Sequence, residues 1–190
     1  HSVGGKLPEA AARADMLVGM ANRIGADDLR LQAHHARWTT AFARGHVTTA
    51  RDAVENGLAL YNLGQHRDHW SMYGAHDPGV CGCSIGAITF WQAGLAERAQ
   101  RLYMRAIGLG TELGHPFSVA AAHMHGAFFA IMVGDGAAVH NSAQTVAAVA
   151  AEANLAWPAR LGRFLAGWVI TRQGEIGRGA DQMEASFRNL

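Results

Sequence analysis

Lysine is almost absent from this chain: Lys6 is the only one among 190 residues, and no GxxxxGK[ST] phosphate loop is present. Charge of one sign is also missing. Sixteen basic residues face 15 acidic ones, for a formal net charge of +1. No basic surplus supports nucleic-acid binding, and no charge run supports a membrane surface. Charged residues reach only 16% while apolar ones reach 49%, the balance of a packed chain rather than a disordered one.

Cysteine is scarce too. Cys81 and Cys83 are the only two, too few for a secreted disulfide framework, so a reducing cytoplasm is expected. The longest uncharged runs, such as 116–134, are interrupted by Gly, Pro and His and carry helical periodicity, so no membrane span is read. The opening HSVGGKLPEAA has no apolar signal core and reads as a truncated start. There are four prolines and few Val/Ile runs of period two, so no convincing strand emerges. GxSxG and HExxH do not occur, and the glycines of GVCGCSIG at 79–86 lack a preceding strand. The carboxylates are scattered, which gives acid–base hydrolysis little support.

What the chain does have is glycine, 23 residues of it, in a pattern. The phrases ARGHVTTA, QAGLAERA, MVGDGAAV and RQGEIGRG place Gly45, Gly94, Gly134 and Gly174 at intervals of 49, 40 and 40 residues. About twenty residues after the first three come Leu63-Gly64, Leu113-Gly114 and Ala153-Asn154. Gly and Asn tolerate the left-handed conformation that closes a helix, so both sets read as helix ends.

Each unit then reads helix, tight turn, helix, loop. In the second unit, Ala99, Leu102, Tyr103, Ala106, Ile107 and Gly110 form one apolar helical face, with Glu97, Arg98, Arg101 and Arg105 opposite. The same scheme predicts helices over 9–24, 29–44, 48–62, 80–93, 96–112, 117–133, 137–153, 158–173 and 177–189. Pro158 falls in a first turn, where its missing N–H costs nothing. The expectation is one domain over 1–190: a trailing helix of a truncated unit in 1–27, then helix pairs in 28–79, 80–116, 117–156 and 157–190. The first pair is longer by nine residues. The excess is HRDHWSMYGAHDPG, 66–79, read as a packed irregular loop, with a dedicated binding loop as the alternative.

The stretch 89–116, with Phe90 and Trp91 ahead of Gly94 and then Ala99, Tyr103 and Ala106, resembles a tetratricopeptide (TPR) repeat, although a 40-residue period exceeds the usual 34. The phrases GLALYN, YGAHDPGVCG, FWQAGLAERA and LGHPFS resemble the C-terminal helical region of large bacterial regulators that carry a class III nucleotidyl-cyclase-like domain and an AAA-type ATPase. The resemblance implies an all-α, TPR-like α-solenoid, a right-handed superhelix of antiparallel helix pairs, serving as a sensory or scaffolding module. It implies no catalysis within this segment.

The resemblance also implies which residues line the concave groove: Gln32, His35, Thr39 and Phe42; Cys81, Ser84, Ile88 and Trp91; Ala121, Met124, Phe128 and Ile131; Leu161, Phe164, Trp168 and Thr171. Phe42, Trp91, Phe128 and Trp168 would anchor a protein or peptide segment. The competing reading has these residues simply pack on one another. Eleven His residues raise the question of a metal. His34, Cys83 and His123 share a register position, and Cys81, His35, His76 and His125 lie near it, but a C-x-C pair lacks zinc spacing and neighbouring helices hold the row apart. No metal or cofactor is expected, and packing roles are assigned. The rival from another class is a small-molecule or metal sensor whose groove is closed by the 66–79 loop. Met183 and Phe187 are expected to point outward from the last helix, where they could drive homodimerisation.

Overall fold

The computed structural model describes residues 6–73 and 75–188. Among them the chain is all-α, without a strand. The helices are α1 Leu7–Ile24, α2 Asp27–Ala43, α3 Val47–Leu60, α4 Leu63–His66, α5 His69–Tyr73, α6 Pro78–Gln92, α7 Ala96–Leu113, α8 Pro116–Val133, α9 Gly136–Glu152, α10 Ala156–Arg172 and α11 Ile176–Ala185. The nine long helices follow the expected limits to within two residues, except that α11 stops at Ala185. Contacts divide the chain into two compact units, His1–Ala106 and Ile107–Leu190.

The four turn glycines close their helices in one way. Gly45, Gly94, Gly134 and Gly174 have φ between 71° and 96°. Each donates its N–H three residues back, as Gly45 does to Phe42 at 2.9 Å, and the next residue donates five back, as His46 does to Ala41 at 2.9 Å. This is the Schellman pattern, which needs a left-handed residue at its centre. Gly114 and Asn154 also take positive φ. Gly64 does not. It lies inside α4, and α3 instead ends on Tyr61 in extended backbone. The 66–79 connection is likewise less irregular than expected, since α5 lies within it.

In the first unit, α2 packs on α1, α3 and α6, and α3 packs on α6. Arg37 of α2 meets Asp15 of α1 at 3.1 Å. α6 starts on an Asp77 N-cap, whose Oδ1 accepts from the Val80 N–H at 2.8 Å, with Pro78 in the first turn. Residues 78–90 are buried without a break, as befits a helix that is apolar on every side. The glycines of GVCGCSIG are notches in that helix. A Cβ on Gly79 would meet the Tyr61 ring at 2.4 Å, and one on Gly82 would meet Leu58 at 2.9 Å and Trp38 at 3.2 Å. Gly57 of α3 is the opposing notch, with Trp38 at 2.3 Å from its would-be Cβ.

In the second unit, α8, α9 and α10 pack on one another, and α11 packs on α10. One core cluster gathers Ala127, Ala130, Val139, Ala143 and Leu165, and another gathers Ala121, Met124, Val146 and Leu161. α8 is long and apolar enough to cross a membrane by length and composition, and half of that window is buried inside the protein. Met183 and Phe187 do not point away from the unit. Phe187 packs edge-on against Phe164 at 5.5 Å and near Trp157 at 6.2 Å, and Met183 lies over Gly167. The cause is the closeness of α10 and α11, whose backbones meet at Gly167 and Gly179.

That crossing is testable. A Cβ on Gly179 would sit 2.5 Å from the Gly167 carbonyl oxygen, whereas one on Gly108 would meet nothing within 4 Å. Gly179→Ala is expected to lower the unfolding free energy by about 1–3 kcal/mol through overpacking. Gly108→Ala is expected to raise it by about 1 kcal/mol through helix propensity. Urea unfolding of the two variants checks both signs.

Candidate functional site

Gln32, His35 and Thr39 project from one face of α2, and Asp28 stands four residues before Gln32 on the same face. α1 supplies the opposite wall through Ala14, Leu17, Met20 and Ile24, and Tyr73 and His76 come from the connecting segment. The walls enclose an open cavity of about 680 Å³, within the range of small-molecule and peptide sites. Its lining is mostly apolar, with Arg13 as the single formally charged side chain. Leu17, Met20 and Ile24 are 47%, 47% and 64% exposed, so large apolar side chains stand at the mouth of the cavity.

The connecting segment is fastened to this face by histidines. His66 and His69 are buried. The Asn62 N–H donates to His66 Nδ1 at 2.9 Å, so the ring proton lies on Nε2, 3.1 Å from Asp28 Oδ1. Gln32 Nε2 donates to His69 Nδ1 at 2.9 Å, which leaves the His69 proton on Nε2, 3.9 Å from Asp28 Oδ2. The Gln32 carbonyl accepts from His35 Nδ1 at 3.2 Å. The His35 ring stacks on Trp38 at 5.1 Å and meets His76 edge-on at 5.3 Å. The Trp38 indole N–H donates to Cys81 Sγ at 3.4 Å. A polar chain therefore runs from Asp28 through His69, Gln32 and His35 toward His76 and Cys81.

Two groups among the described residues bring three metal-ligating atoms within 4.8 Å of one another: Asp28, His66 and His69, and separately His35, His76 and Cys81. They differ in chemistry. An imidazole that ligates through Nε2 must carry its proton on Nδ1, where it normally donates to an outer partner. His66 accepts at Nδ1, so the first group is built as a hydrogen-bonded clamp on Asp28. His35 donates at Nδ1, so the second group leaves Nε2 with a lone pair.

No family model matches the chain. No solved structure matches it either. A protein of Rhizobium meliloti (strain 1021), described as uncharacterized, is 28% identical over 108 residues, which are 57% of this chain and 10% of that protein. The matched stretch thus spans about a tenth of the relative's length.

The register reading finds its residues in different settings. Gln32, His35 and Thr39 line the cavity, and Phe42 is half-buried. Ser84, Ile88 and Met124 are only 2%, 4% and 4% exposed. These three are core residues rather than groove contacts, because α6 and this part of α8 are covered by their own neighbours. Trp91 is half-buried. Phe128, Ile131, Phe164 and Trp168 pack against the core clusters of the second unit. For them the competing packing reading describes the contacts.

Neither metal-competent group contains His34, Cys83 or His123. Burial pushes the Cys83 thiol up to about 12, against the opposing pull of the Arg105 charge. His34 lies against Gly57, and His123 Nδ1 is 3.4 Å from Ser142 Oγ. Asp28, which sequence reasoning passed over, stands one helical turn before Gln32. That spacing was the available signal.

Burial lowers the pKa of His34, His69, His76 and His123 below the usual 6.5. For His34 the Arg37 charge adds to this, and for His69 the His66 charge does, while Asp28 and Asp77 oppose it at His69. The unfolded chain therefore binds more protons than the native one below the unfolded value. Stability contributed by these rings is present above pH 6.5 and is lost as pH falls through the folded values. Urea midpoints are expected to hold level from pH 8 to 7 and to fall steadily toward pH 5 (about neutral to mildly acid). Replacing His76 with Asn is expected to flatten that fall.

Proposed function

We propose that this chain is a TPR-like helical-repeat module of a larger bacterial regulatory protein, non-catalytic and cytoplasmic, that binds a protein segment. Four identical helix closures at 45, 94, 134 and 174 support the repeat reading. So does the recurrence of one packing scheme, in which the paired helices α2 and α3 both touch α6, and the paired helices α8 and α9 both touch α10. Stacked pairs of this kind form a right-handed α-solenoid whose first helices line the concave side. The relative, of which the match is only 10%, supports a module within a longer chain.

The observation that carries the binding reading is the open cavity between α1 and α2. Its floor holds Gln32, His35 and Thr39, and its rim holds the exposed Leu17, Met20 and Ile24. An apolar helix or extended segment laid across that rim buries these side chains, each worth about 1.5–3 kcal/mol on full burial. A second reading, a metal- or small-molecule-responsive domain, is favoured by the histidine groups beside the same cavity.

A photo-cross-linking residue installed at Met20 tests the first reading. It is expected to give one discrete protein adduct in cells, whereas the same residue at exposed Asp52 gives none. Equal labelling at both positions, or none at Met20, contradicts it.

A further inference from the structure

The geometry points to a zinc site formed by His35 Nε2, His76 and Cys81 Sγ, with its fourth coordination position open to the cavity between α1 and α2. The three donors lie on α2, on the connecting segment and on α6, and one ligand atom from each residue, a ring nitrogen for the two histidines and Sγ for Cys81, lies within 4.8 Å of the others. Tetrahedral zinc, with bonds of about 2.0–2.3 Å, holds its donors roughly 3.3–3.8 Å apart. Closure needs side-chain shifts of about 1 Å, within the reach of small rotations.

The outer partners fit. His35 Nδ1 donates to the Gln32 carbonyl at 3.2 Å, which turns Nε2 into an acceptor and fixes the ring. The Trp38 indole N–H points at Cys81 Sγ from 3.4 Å, where it stabilises a thiolate once the metal has displaced the thiol proton. Two imidazoles and one thiolate are a zinc donor set, softer than calcium or magnesium accept.

The site is open rather than closed. His35 and His76 line the cavity and Cys81 is buried behind them, so an ion enters from the cavity and keeps one face toward it. Three protein ligands with a free position is the arrangement of zinc that binds an exogenous water or small anionic ligand. With one thiolate the site carries a net positive charge, and Arg13 adds another at the cavity wall. The fourth ligand is therefore water, hydroxide or an anion.

This assignment goes beyond the protein-segment reading and stands without it. The test uses the intact chain and Co2+ as the spectroscopic probe. Purified protein is expected to bind one Co2+ per chain, in competition with Zn2+, with a thiolate-to-metal charge-transfer band. Cys81→Ser abolishes the band, His35→Gln weakens binding at least tenfold, and Gln32→Ala weakens it by about 10–100-fold as an outer partner. Cys83→Ser leaves it intact. Circular dichroism establishes that each variant is folded. Folded wild-type protein that binds no stoichiometric metal overturns the assignment, as does a band that survives Cys81→Ser or one that is lost in Cys83→Ser. Cross-linking at Met20 in chelator-treated protein reports on the segment reading separately.

Discussion

The indole of Trp38, on α2, has no exposed surface, and the two helices across from it are shaped to admit it. Gly57 of α3 and Gly82 of α6 both leave out the Cβ that would strike its ring. Protein interiors pack like crystals, so a side chain of this size fixes the separation of its neighbours to fractions of an ångström. Its ring face holds His35 and its N–H holds Cys81. One residue thus sets the packing of α2, α3 and α6 and aims two of the three proposed ligands.

The connecting segment completes what Trp38 begins. It is longer than a helix pair requires, and its length is used to carry His66, His69 and His76 onto the face of α2. Burying a histidine costs free energy unless its nitrogens are matched. Here the matches are the Asn62 N–H, the Asp28 carboxylate and the Gln32 amide. The same matches set the tautomers. They separate a clamp at Asp28, where the ring nitrogen is already spent, from a donor set at His35, where it is kept. The second unit shows no such segment among its described residues. Its corresponding aromatic residues are drawn onto its core.

Much of the fold was legible because helix closure is a local matter. A Schellman turn needs a left-handed residue, Gly or Asn supplies it, and the spacing of those residues exposed the pairs. Gly64 misled because Gly also occurs where no such turn forms. The site was legible only in part. Helical register put Gln32, His35 and Thr39 on one face, and all three line the cavity, since that placement depends on one helix alone. It could not tell that Ser84 and Ile88 are covered, because covering depends on what lies across from α6. The near-unbroken apolar run of that helix was the warning. Nor could spacing show that Asp28 meets His66 and His69, as they are brought together by tertiary packing across a sequence separation of 38 between Asp28 and His66.

The account comes down to whether α2, the connecting segment and α6 converge on one ion. X-ray absorption at the zinc edge of protein loaded with one equivalent reads that convergence directly. The account predicts one sulfur at about 2.3 Å and two imidazole nitrogens at about 2.0–2.1 Å, with a lighter fourth ligand. A shell of oxygen and nitrogen without sulfur would contradict it.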